Sequence, residues 1–209
     1  NVTACVCYSI AAGGMFAVTG DIIASAEHTG YVIPCIGQYS IPGTISCKGI
    51  VNNCGSSGDR FYLVRGNSNT LANWLVGEDG ISGSKRFLIG YYNNSHANIS
   101  ARTNFTVSAD IVQQSNLTLD TAGYTITLGT STLARSGGIL GGAANGLTTV
   151  TGTGKVVVDY NVNDLSTAAS SRTNAFIVAT GATLALNPSA NIGFGDVTVQ
   201  SGGTIEIKS

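Results

Sequence analysis

Charge is what this chain has least of. Only 10% of its 209 residues are charged, where about 25% is usual. Ten Lys and Arg balance eleven Asp and Glu, with no run of either sign. The electrostatic footprint of a nucleic-acid or anionic-lipid binder is therefore missing, and neither partner is expected. Proline, methionine and histidine are scarce as well, at 3, 1 and 2 residues. The first twenty residues, NVTACVCYSIAAGGMFAVTG, form an uncharged stretch with the length of a membrane span. Asn1, Thr3, Ser9, Thr19, Gly13 and Gly14 break it, and no basic flank precedes it, so membrane insertion is not expected. With no initiating Met and no signal-like basic start, the chain reads as a mature product, or an excised part of something longer, whose export signal has been removed.

What is present can build a core: 43% of the residues are hydrophobic, and glycine is abundant at 28. With so few ions, the surface must be wetted by Ser, Thr, Asn and backbone, a profile that points to a secreted or cell-surface protein. Cys5, Cys7, Cys35, Cys47 and Cys54 all fall early in the chain. They lack Cys-x-x-Cys or Cys/His zinc spacing, and His28 and His96 stand alone, so no metal or cofactor is expected. In an extended strand Cys5 and Cys7 share a face, and bonding them to each other would need a strained ring. Each is expected to pair elsewhere, with Cys35, Cys47 and Cys54 as local candidates. The odd count leaves one thiol to stay buried or to bridge to another chain. Asn-x-Ser/Thr sequons stand at Asn1, Asn93, Asn98, Asn104 and Asn116, which in a secreted protein of a glycosylating host are surface acceptors.

The second half repeats itself. LTLDTAGYTITL (117–128), LTTVTGTGKVVV (147–158), FIVATGATLAL (176–186) and VTVQSGGTIEI (197–207) each hold a β-type run, a glycine turn and a second β-type run. Starts separated by 30, 29 and 21 residues are the signature of stacked repeats. One unit cannot bury its apolar row alone, whereas stacked coils cover one another and satisfy each other's backbone groups. A β-solenoid is the expected fold. The period-2 pattern of the second runs (Tyr124, Ile126, Leu128; Leu184, Leu186; Ile205, Ile207) sets one face inward, and Ile126, Val157, Leu184 and Ile205 are expected to stack across coils.

In GDVTVQSGGTIEIKS (195–209) and TLALN (183–187) the chain resembles the passenger-domain repeats of bacterial autotransporter adhesins and the wider family of right-handed parallel β-helix surface proteins. The resemblance covers roughly the last 95 residues and implies an exported, cell-surface structural or adhesive role.

The first half carries β-type runs such as YVIPCIG, DRFYLVRG and KRFLIGYY, bounded by Gly, Asn and Pro. A short helical turn is expected at Thr70 to Val76, where Leu71, Trp74 and Leu75 fall at i, i+3 and i+4. The expected organisation is thus all-β: a disulfide-braced, Cys-containing β-rich head over 1–100, then solenoid coils over 101–209. A β-sandwich or jelly roll with long loops is the alternative.

Chemistry is thin. Position four of the units reads Asp120, Val150, Ala179 and Gln200, which is no acidic ladder. Asp159 with Asp164, or Glu78 with Asp79, reads as solvated loop carboxylates, and GEDG at 77–80 as a plain turn. Neither histidine sits beside a nucleophile in a recognisable signature, and no enzyme is expected. Tyr91, Tyr92 and Trp74 are the one aromatic neighbourhood that suits a groove. The expected function is an extracellular structural subunit of a surface filament or layer. It would assemble head to tail as its uncharged N-terminal segment adds as a strand to a neighbouring copy. A cell-surface adhesin or carbohydrate-binding module, with surface glycans as partners, is the alternative, and a polysaccharide-active β-helix enzyme a third.

Overall fold

The computed structural model describes residues 2–3, 8–10, 14–25, 34–36, 43–55, 61–64, 71–90, 95–113, 115–129, 139–141, 147–159, 175–187 and 196–208. Every element among them is a strand. In chain order these are β1 (Val2–Thr3), β2 (Tyr8–Ile10), β3 (Met15–Ala17), β4 (Ile22–Ala24), β5 (Pro34–Ile36), β6 (Gly43–Asn52) and β7 (Phe61–Val64). There follow β8 (Leu71–Ser82), β9 (Phe87–Ile89), β10 (His96–Ala101), β11 (Phe105–Val107), β12 (Ile111–Gln113), β13 (Asn116–Asp120) and β14 (Thr125–Leu128). The last are β15 (Ile139–Gly141), β16 (Leu147–Thr151), β17 (Lys155–Val158), β18 (Ala175–Val178), β19 (Thr183–Leu186), β20 (Val197–Val199) and β21 (Thr204–Ile207).

All strand pairings are parallel. A first ladder runs β6–β8–β10–β13–β16–β18–β20 and a second runs β8–β11–β14–β17–β19–β21, both within one 15-stranded sheet. A third, 4-stranded sheet stacks β7, β9, β12 and β15. Each circuit of the chain therefore adds one rung to each of the first two ladders, and the fold is a β-solenoid. A sandwich, built from antiparallel sheets, is excluded by this pairing. The ladder runs through the boundary expected near residue 100, since β10 pairs with β8 on one side and β13 on the other.

Inward side chains stack by register. Ile45, Trp74, Ile99, Leu119, Val150 and Val178 form one column, all of them buried. In the second ladder the column is Phe105, Ile126, Val156 and Leu184, continuing to Ile205. Val156, not Val157, thus occupies the rung. Three consecutive valines carry no phase, and only the pairing decides which of them turns inward. Tyr124 lies outside the strand and is exposed. Within the third ladder Phe87 packs edge-on to Phe61, ring centroids 4.8 Å apart, and where that ladder meets the first the Trp74 indole donates to the Leu63 carbonyl at 2.8 Å.

The helical turn expected at 70–76 is a strand: Leu71–Ser82 is continuous β. Its burial alternates, with Ala72, Trp74 and Val76 buried and Leu71, Asn73 and Leu75 half-buried on the other side. Two parallel neighbours override a weak local helical pattern. The GEDG stretch also lies within β8. There β8 turns the corner between the first two ladders, with a register shift opposite Cys47 and Gly49. Gly80 makes this possible: its φ is +64°, and a Cβ there would stand 2.2 Å from the Thr106 carbonyl oxygen.

No disulfide joins the described residues. Cys47 is a free thiol, wholly buried in the column of Val76 and Ala101, where it packs as a small hydrophobe. Cys54 is buried too; Cys35 lies in β5, while Cys5 and Cys7 lie outside the described residues. The N-terminal strands expected to reach a neighbouring copy pair inside their own chain, Val2 with Ile22 and Tyr8 with Pro34.

Candidate functional site

The sequence-predicted candidates disperse over the solenoid. At the β8 corner Glu78 is tied to Lys48 at 2.7 Å, with both side chains exposed. That contact lowers the Glu78 pKa and raises that of Lys48. Asp21 beside it is raised by burial and by the neighbouring Asp79 charge. The Cys47 thiol is pushed up to about 12, by burial first and then by the Asp21 charge. Such a thiol stays protonated and is a poor nucleophile. Arg102 closes the corner by donating to the Ser46 hydroxyl at 3.0 Å. Among the described residues no cluster of His, Cys, Asp and Glu could hold a metal ion. Asp159 accepts a hydrogen bond from the Asn187 amide, and Asp164 lies outside the described residues.

The row containing Asp120 is Ser46, Leu75, Ser100, Asp120 and Thr151. Val150, matched to Asp120 by motif position, pairs instead with Leu119 and points inward, because the repeat beginning at Leu147 is offset by one residue, Leu117 facing Thr148. Trp74 is a core residue and not a groove wall, while Tyr91, Tyr92 and His28 lie outside the described residues. Of the sequons, Asn98 and Asn116 sit half-buried within strands. Asn104 is exposed at a corner, where its side-chain oxygen accepts the Thr125 amide at 2.8 Å. Asn1 and Asn93 lie outside the described residues.

Two surfaces remain. On the outward side of the first ladder, polar groups of successive strands bond to one another. The Asn98 amide donates to the Asn73 oxygen at 2.9 Å, His96 Nε2 shares a hydrogen with the Thr118 hydroxyl at 2.7 Å, and the Ser100 hydroxyl donates to Asp120 at 3.2 Å. Burial lowers the His96 pKa, which favours neutral imidazole. Neither Asn73 nor this pairing is evident from the motifs; period-2 polarity in β8 signals it only once β8 is read as a strand.

The second surface is the last described coil. Its inward row is uncovered: Val199 is 41%, Ile205 39% and Ile207 73% exposed. At the opposite end Met15 is 65% exposed.

No protein-family model, curated protein or solved structure matches the chain. Among the described residues no helix is long and apolar enough to cross a membrane.

Proposed function

We propose that the protein is an extracellular structural subunit of a surface filament or layer, whose copies add head to tail by strand pairing. The observation that carries this reading is the exposed apolar row of Val199, Ile205 and Ile207 in the last described coil, which continues the columns of the buried Val178 and Leu184 and the half-buried Leu186. A parallel ladder offers the same unpaired edge at every rung, so a strand in the same direction extends it without new geometry. The β3 edge, which carries Met15, supplies such a strand in a second copy. Because β1 and β2 are paired within their own chain, the copies stack end on end without exchanging a segment. Head meeting tail is a heterologous contact, which propagates. The low charge and the Ser-, Thr- and Asn-rich surface support an extracellular setting.

Sedimentation and negative-stain microscopy over rising concentration test it. The intact protein should form rods one solenoid wide, and Ile205→Lys with Ile207→Lys should leave folded monomers. A protein that stays monomeric when concentrated, or a double variant that still forms rods, overturns the reading.

A further inference from the structure

On the outward face of β8, β10 and β13 the polar groups are held by bonds between neighbouring strands. Asn73, Asn98 and Thr118 occupy one row on adjacent rungs, with His96 beside them. Rungs of a sheet are about 4.8 Å apart, and same-side residues along a strand about 6.7 Å apart. The bonds Asn98 to Asn73 and His96 to Thr118 fix these side chains before anything arrives, which removes ordering entropy from the cost of binding. Capacity is left over. A primary amide has two N–H donors and an oxygen with two lone pairs, and a hydroxyl both donates and accepts. The Asn98–Asn73 bond uses one donor and one acceptor of that set. On the same side of β8, Leu71 and Leu75 flank Asn73, both half-buried, and offer apolar contact at the spacing of alternate residues.

Charge narrows the ligand. The charged groups at the edge of this face are engaged within the protein: Asp120 accepts from the Ser100 hydroxyl and the Ala122 amide, and Arg102 donates to the Ser46 hydroxyl. His96, desolvated by burial, favours the uncharged ring. A flat array of fixed amides, hydroxyls and a neutral imidazole, edged by leucines, matches a ligand with many hydroxyls, some C–H surface and no charge. The geometry points to a binding platform for a neutral, extended polysaccharide on the outward face of β8, β10 and β13. Asn73, Asn98, His96 and Thr118 are its hydrogen-bonding groups. The chain lies across the strands, so that successive sugar units meet successive rungs. This site is lateral to the coil ends and does not depend on assembly.

Affinity electrophoresis in gels containing laminarin, mannan or galactan, with alginate as the anionic probe, tests it on the full chain. At least one neutral polysaccharide should retard the intact protein, and alginate should retard it less. Asn98→Ala with Thr118→Val should weaken that retardation about ten-fold or more, roughly 1.4 kcal/mol, the cost of losing hydrogen bonds to a bound ligand. Thr127→Val, on the second ladder, should leave it unchanged. Circular dichroism and melting verify that each variant is folded, and Thr118→Ser alone, which keeps the hydroxyl, should bind as the intact protein does. Retardation by none of the neutral probes, stronger retardation by alginate, or folded Asn98 and Thr118 variants that bind as well as the intact protein would overturn the assignment.

Discussion

Leu184 and Ile205 face each other in adjacent strands of the same inward column, yet Leu184 is fully buried and Ile205 is 39% exposed. Their local sequences, TLAL and TIEI, are alike, and both strands alternate in the same phase. The difference lies in what stands on the far side: β17 covers Leu184, whereas no described strand covers Ile205. In a solenoid, burial belongs to the neighbouring coil more than to the residue's own strand. Stability is therefore highest where coils lie on both sides and falls toward the ends.

The sharpest way to break this comparison is to charge both positions. Leu184→Asp places a carboxylate in the column between Val156 and Ile205, with no partner described there. It should cost about 4 kcal/mol or more and unfold the neighbouring coils. Ile205→Asp should cost under about 1.5 kcal/mol, because its carboxylate keeps water. Urea denaturation of the two variants measures the gap. Equal losses would mean that the last coil is as sealed as the one before it.

The corners give a second contrast. A Cβ at Gly154 would stand 2.0 Å from the Tyr124 carbonyl oxygen, whereas one at Gly123 meets nothing closer than Thr153 Oγ1 at 3.7 Å. Both are turn glycines in the sequence, but for different reasons. Gly154 is there because the coil beneath comes too close. Gly123 is there because its φ is +90°. Gly154→Ala should cost about 3 kcal/mol, since rigid backbone must move. Gly123→Ala should cost about 1–2 kcal/mol from the left-handed conformation alone. Thermal melts of the two variants should keep that order; a reversed order would place the close approach at the wrong corner.

How much of this was legible follows from which signals are local. The repeat, the glycine corners and the inward Ile126 and Leu184 follow from period-2 alternation and spacing, and the structure places them as expected. Register is not local. Val157 and Val150 were each one residue from the true rung, because a run such as KVVV has no phase of its own and the offset of the Leu147 repeat shows only in pairing. Leu71, Trp74 and Leu75 mimic a helical stripe, and only the strands on either side hold that segment extended. The polar platform was least legible of all: Asn73 and Asn98 lie 25 residues apart, and nothing in either segment announces the other.

The smallest effect concerns a contact that spans two rungs. Lys155 in β17 reaches Glu206 in β21 across the intervening β19. Lys155 shares its row with Thr183 and Thr204, and Glu206 shares its row with Ala185, so the pair crosses β19 diagonally. Ala185 lies on that outward side, yet it is fully buried. The lysine stem is suited to cover such a position, since long charged side chains lay their methylenes on apolar surface. The side chains are 35% and 40% exposed, so the charge–charge part should be worth only about 0.2–1 kcal/mol. Glu206→Gln should therefore lower stability slightly at low ionic strength, and the loss should fade near 1 M salt, where the Debye length is about 3 Å. Lys155→Met keeps the stem and should behave like Glu206→Gln, while Lys155→Ala also uncovers Ala185 and should cost more. Melting curves at two salt concentrations separate the cases. If Lys155→Met and Lys155→Ala lose the same amount, the lysine acts on the last coil only through its charge, and something else covers Ala185.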